Sequence, residues 1–254
     1  MSVTANKQAL LRFMGDFIVQ KHGELFGSIS DCDELYIAGI FSGPLFVKRI
    51  SSTGVTECKD LYCSHEEADT RMIFHATRAD KQFGMKQVKE RIIIKSPDTD
   101  VLVLAVHFSP SLKHTNELWF QTGSITSTKD GHRFIPVHEI VNSLNSVFCQ
   151  ILPAAHVLSG CDTTSSMLGI GKRTVYKVLK SKSEEFSNLV LLGEGNVEDS
   201  LAVSREFVAS LYDQKAKLRA DYSNLNKCRV RLATKKKQAW PSYHHAKGHS
   251  ISIY

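Results

Sequence analysis

The stretch Leu158-Ser159-Gly160-Cys161-Asp162-Thr163-Thr164-Ser165-Ser166-Met167-Leu168-Gly169-Ile170-Gly171-Lys172-Arg173-Thr174 places one acid, three glycines and two cations within a single connection. Val157 and Leu158 lead into a turn that presents Asp162, and the Thr and Ser run behind it favours a helix start. Gly169 and Gly171 bracket Ile170. Lys172 and Arg173 then open a segment with helical spacing at Val175, Val178 and Leu179. A Gly-Ile-Gly turn entering a helix offers backbone N–H groups to a phosphate, and two cations add to its attraction. The plainer readings are an Asx-type cap for Asp162 and a solvated helix entry for Lys172 and Arg173.

Upstream, Arg91-Ile92-Ile93-Ile94-Lys95 reads as a buried-type strand broken by Ser96-Pro97. Asp98-Thr99-Asp100 follows, ahead of a second apolar run from Val101 to Val106. Ligands of open α/β sheets gather at the carboxyl ends of strands, so two acids here are placed for metal chemistry, although both also suit a turn. Ser64 with Glu67 three residues on is a capping-box pattern, so a helix is expected from near His65, carrying Glu66, Glu67 and Asp69 in its first turn. Acids there are also what the helix dipole favours.

Residues 5 to 22 have the spacing of an amphipathic helix through Leu10, Leu11, Phe13, Met14, Phe17 and Ile18. Leu35 to Ala38 and Leu45 to Lys48 read as a hairpin or an edge pair around Gly39 and Gly43-Pro44. Leu118 to Gln121 and Arg133 to Pro136 read as strands across a polar turn. Val137 to Leu152 reads as a helix that Pro153 ends. Phe207, Val208, Leu211 and Tyr212 mark a later helical patch, and Lys and Arg are frequent between Lys215 and Lys237.

The chain has 254 residues, 42% of them hydrophobic and 23% charged, enough for one sizeable core. It has no apolar run of about 18 residues and no basic-then-apolar start, which speaks against membrane insertion and secretion. Six scattered cysteines suit reduced thiols, and the expected location is intracellular, nuclear rather than cytoplasmic. A net charge of +6 leans toward an anionic partner but is too mild to decide one. Cys58, Cys63, His65 and His75 lack a Cys-x-x-Cys knuckle and make a weak zinc set. His244, His245 and His249 in the tail are no stronger, and Cys161 reads as a small buried thiol.

Several carboxylates on different elements are what a two-metal nuclease needs, because hard cations take oxygen ligands and paired ions stabilise both the attacking and leaving oxygens at phosphorus. In order and local pattern the three acidic groups resemble the flap-endonuclease branch of the PIN-like nucleases. Glu67-Ala68-Asp69 is similar to their acidic helix, Asp98-Thr99-Asp100 to their Asp-x-Asp after a strand, and Gly160-Cys161-Asp162 to their Gly-x-Asp. The Gly169 to Lys172 turn is similar to the one that grips duplex backbone. Transposon-associated PIN-like proteins of animals resemble the chain more closely still, at His65 to Arg71, Asp98 to Val101, Phe134 to Ile140 and Gly160 to Thr163.

The resemblance implies a PIN-like three-layer α/β/α domain with a mostly parallel central sheet over residues 1–182. A basic helical extension over 183–239 and a loose tail over 240–254 would follow. It also implies a divalent-metal-dependent nuclease acting on DNA or RNA. In that reading Glu67, Asp69, Asp98, Asp100 and Asp162 hold Mg²⁺ or Mn²⁺, and Gly169, Gly171, Lys172 and Arg173 hold the substrate backbone. The alternative is a catalytically degenerate relative that binds nucleic acid or protein without cutting. It follows from one departure: the family carries an Asp after its first strand, whereas this chain opens on a helix and its Asp31 and Asp33 precede a strand. That departure leads to the expectation that a further strand and acid lie upstream or have been lost.

Overall fold

The structure is a computed structural model describing residues 3–24, 34–41, 46–64, 68–123, 133–193, 195–212 and 225–235. It is mixed α/β and divides into two compact units, Met1–Ile140 and Val141–Tyr254. This division falls before Val141 and not at the expected residue 182, so the Gly160 to Arg173 stretch belongs to the second unit. Asp31, Asp33, His65, Glu66, Glu67 and the tail from residue 240 lie outside the described residues. Among the described residues no helix is long and apolar enough to cross a membrane.

The first unit begins with α1 (Val3–Gln20). Its buried residue is Gly15, which sits against Ile40 and Phe41, while Leu10, Phe13, Met14 and Phe17 are exposed. The apolar spacing therefore identified the helix but not the face that packs. An antiparallel meander follows, β1 (Glu34–Ala38), β2 (Val47–Ser51) and β3 (Gly54–Glu57), with Tyr36 opposite Arg49 and Ile50 opposite Val55. The second strand starts two residues later than the expected Leu45, and β3 was not expected at all. Val47, Cys58 and Leu61 form a small core, with Tyr36, Ala38, Tyr62 and Phe74 packed against it.

Next come α2 (Ala68–Lys86), β4 (Glu90–Lys95), α3 (Thr99–Phe108), β5 (Thr115–Thr122) and β6 (Arg133–Pro136). β4 and β5 pair in parallel through the α3 crossover, with Ile94 opposite Phe120, and β6 adds to β5 antiparallel. The apolar run Val101 to Val106 is thus helical. A parallel partner needs a crossover, and Asp98 caps one. Among the described residues the strands form two sheets of three, ordered β1-β2-β3 and β4-β5-β6. One of their four pairings is parallel. These strands do not form the single, mostly parallel sheet expected from the sequence.

The second unit is helical. Instead of one helix ended by Pro153 there are two, α4 (Val137–Asn142), which spans the unit boundary, and α5 (Ser146–Leu158). Asn145 interrupts them because its side chain accepts the Phe148 N–H at 2.6 Å, an N-cap that starts α5. Pro153 lies inside α5. Then follow α6 (Lys172–Lys182), a 3₁₀ segment (Glu184–Leu191), α7 (Val197–Tyr212) and α8 (Leu225–Lys235). Val175, Val178 and Leu179, the stripe read from the sequence, are buried with Phe148, Ile151, Phe186, Phe207 and Leu211 in one cluster. Full burial of each such side chain contributes roughly 1.5–3 kcal/mol. Phe207 and Leu211, expected in an extension, therefore belong to the core of this unit.

Candidate functional site

In the first unit the β4 ladder is prolonged by Ser96, whose N–H reaches Gln121 O at 3.1 Å. The Ser96 hydroxyl accepts the Asp98 N–H at 3.0 Å, and Asp98 Oδ1 accepts the Asp100 N–H at 2.8 Å. Asp98 is thereby the N-cap of α3 and Asp100 lies in its first turn; both are half-buried. Asp69, also half-buried, lies in the first turn of α2. Ala68 and Arg71 of α2 and Ile94 and Lys95 of β4 border one cavity, so the start of α2 and the carboxyl end of β4 lie at the same end of the unit. Among the described residues, no three His, Cys, Asp or Glu side chains gather as metal ligands. The described acids alone do not make up the expected Mg²⁺ or Mn²⁺ site.

Asp162, Gly169, Gly171, Lys172 and Arg173 belong to the second unit. There α5 closes with the Ser159 N–H on Ala155 O at 3.1 Å, and Gly160 takes φ of +104°, where a Cβ would meet Ser166 Cα at 2.5 Å. Only glycine fits that turn. The Thr164 hydroxyl ties the loop back, accepting the Cys161 N–H at 3.0 Å and donating to Val157 O at 2.8 Å. Asp162 is exposed at the tip of this turn. Cys161 is half-buried rather than buried. The Thr163 hydroxyl, followed by that of Thr164, pulls its thiol below the ordinary value.

Lys172 departs from the expected role. Its ammonium donates to His156 O at 2.8 Å, to Ser159 Oγ at 3.0 Å and to Gly160 O, so it clamps the last carbonyls of α5. Gly169 has φ of +75° and Gly171 is the N-cap of α6; each has open space where a side chain would stand. The Thr174 and Val175 N–H groups return to Gly171 O. Arg173, Lys177 and Lys180 are exposed on α6. An exposed helix start beside cations can hold anionic oxygens, because the first helical amides have no intrahelical acceptor.

Asp80 is a structural carboxylate that the sequence pattern does not mark. This carboxylate on α2 is only 5% exposed. Its Oδ1 accepts the N–H groups of His114 and Thr115 and the Thr115 hydroxyl, and its Oδ2 accepts the Lys113 N–H, all at 2.7–3.1 Å. Burial would raise its pKa, but the hydrogen bonds from Thr115, His114 and Lys113 outweigh burial and hold it below the usual carboxylate value. Nothing in Arg78-Ala79-Asp80-Lys81 separates it from a solvated helix face. For the zinc set, burial, followed by the Asp60 hydrogen bond at 2.9 Å, pushes the Cys58 thiol up to about 11. A thiol held protonated is a poor metal ligand.

Comparison of the chain with protein-family models, with curated proteins and with solved structures finds no match.

Proposed function

We propose that this chain binds the sugar-phosphate backbone of DNA or RNA at the turn that opens α6, as a PIN-like protein. The observation that carries this reading is the uncrowded Gly169–Gly171 turn running into a helix start with Arg173 exposed beside it. Lys177 and Lys180 extend the positive surface along α6. Lys172 serves by holding the loop in shape.

A second reading, a divalent-metal-dependent, flap-type nuclease of transposon origin acting in the nucleus, is favoured by the approach of the α2 start, which bears Asp69, to the carboxyl end of β4, from which the chain runs on through Ser96 to Asp98 and Asp100. Glu67 would add to its ligand set, and a bound Mg²⁺ or Mn²⁺ would supply charge stabilisation at phosphorus.

Both readings are tested by incubating labelled single-stranded, duplex and flapped DNA, and RNA, with the chain in EDTA and then in Mn²⁺. Binding in EDTA that weakens about tenfold in Arg173→Glu, with no cleavage in Mn²⁺, supports the first reading. Cleavage that disappears in the Asp98→Asn/Asp100→Asn double variant moves the conclusion to the second. An absence of binding to every substrate sinks both.

A further inference from the structure

α6 buries the stripe Val175, Val178 and Leu179. The side turned away from that stripe carries Arg173, Tyr176, Lys177 and Lys180, at the i, i+3, i+4 and i+7 spacing of one helix face. All four are exposed, Tyr176 at 44%. Five of the eleven residues of α6 are cations and none is an acid. Among the described residues no carboxylate pairs with Arg173, Lys177 or Lys180. A face of one sign fits an anionic partner.

Tyr176 separates this face from a plain row of cations. Its ring meets that of Phe148 at 5.4 Å and 70°, edge to face, and Phe148 is only 2% exposed, so the tyrosine is anchored on the core of the second unit. Lys180 Nζ stands 6.0 Å from the ring centroid, at the outer limit of a cation–π contact. A ring already anchored loses little conformational freedom when a flat partner stacks on it. Seven residues of helix put Arg173 and Lys180 about 10 Å apart along the axis. That is the rise of about three nucleotides, with Tyr176 in between.

We infer that Tyr176 is a stacking platform for one unpaired base, which makes single-stranded DNA or RNA the nucleic acid that α6 selects. Arg173, Lys177 and Lys180 hold phosphates on either side, and the tyrosine ring receives the base between them. Phosphates are common to single strands and duplexes, so the cations alone do not discriminate. The aromatic ring does. A base inside a duplex is covered on both faces by its neighbours, whereas an unpaired base has a face to give, and such stacking tolerates any sequence. The inference rests on the reading of α6 as a nucleic-acid surface and adds to it the form of the strand.

The test compares three labelled probes on the full chain in EDTA, followed by anisotropy: a DNA single strand, a blunt duplex of the same length, and a strand of abasic sugar-phosphate units. The wild type is expected to bind the intact single strand about tenfold or more tighter than either of the others. Tyr176→Leu removes most of that advantage and leaves duplex and abasic binding unchanged. Tyr176→Phe, which keeps the ring, keeps the advantage. Equal binding of intact and abasic strands by the wild type overturns the inference while the backbone reading stands. So does a Tyr176→Leu loss shared by all three probes, which would give the ring a structural role through Phe148. An absence of binding to every probe sinks the nucleic-acid reading itself and this inference with it.

Discussion

Asp98 and Asp80 lie at opposite ends of the parallel β4–β5 pair, and the chain uses them in opposite ways. Asp98 stands where β4 gives way to α3, and the bond seen at its carboxylate is a local one, from an N–H two residues on. Asp80 reaches from α2 to the amino end of β5, where three consecutive residues supply it with four donors. The first remains half-buried with acceptor capacity beyond its cap, while the second is sealed and saturated. A single cap bond leaves the Asp98 carboxylate most of its acceptor capacity. An acid that folds a turn around itself has nothing left to offer a substrate.

The largest effect that bears on this contrast is expected for Asp80→Ala. It leaves the Lys113, His114 and Thr115 donors unmatched in a buried site, for a loss of about 3 kcal/mol in denaturant unfolding. A loss below about 0.5 kcal/mol would place Asp80 with the surface acids and erase the contrast. Acid sharpens it next. Because the folded pKa of Asp80 is lowered, its contribution is present above about pH 4, the unfolded value, and is lost as pH falls through the folded one. Between pH 6 and pH 3 the wild type therefore loses more stability than Asp80→Asn; parallel losses in the two proteins would refute the assignment.

Asp98→Ala removes only an N-cap and is expected to cost about 1 kcal/mol. The smallest effect belongs to Asp98→Asn, since asparagine caps as well as aspartate and the loss stays within a few tenths of a kcal/mol. Thermal melts of the two variants side by side check both. Equal losses would mean that the charge of Asp98, and not its capping oxygen, holds the turn.

What the sequence made legible follows the same division between local and distant causes. Helix spacing located α1, and the stripe Val175, Val178 and Leu179 was read with its buried face correct, because both signals lie within one element. The crossover helix after Asp98 was hidden because an apolar run of that length suits a buried strand as well as a buried helix, and pairing with β5 decides between them. Pro153 was read as a stop, yet α5 tolerates it, since the real boundary is the Asn145 cap. At the candidate site the positions of Asp69, Asp98 and Asp100 at element starts were legible from caps and strand ends. The role of Lys172 was not, because its partners lie 12 to 16 residues back and a carbonyl clamp leaves no trace in composition.

The Asp80 knot also has a kinetic meaning. Its bonds join residues 33 to 35 apart in the chain, with β4 and α3 between them. A contact that closes after the folding transition state leaves the rate of folding nearly unchanged when it is removed and hastens unfolding instead. The expectation for Asp80→Ala is therefore faster unfolding in stopped-flow traces at an unchanged folding rate, which would make Asp80 a latch on the lifetime of the first unit; slowed folding would place the knot in the transition state.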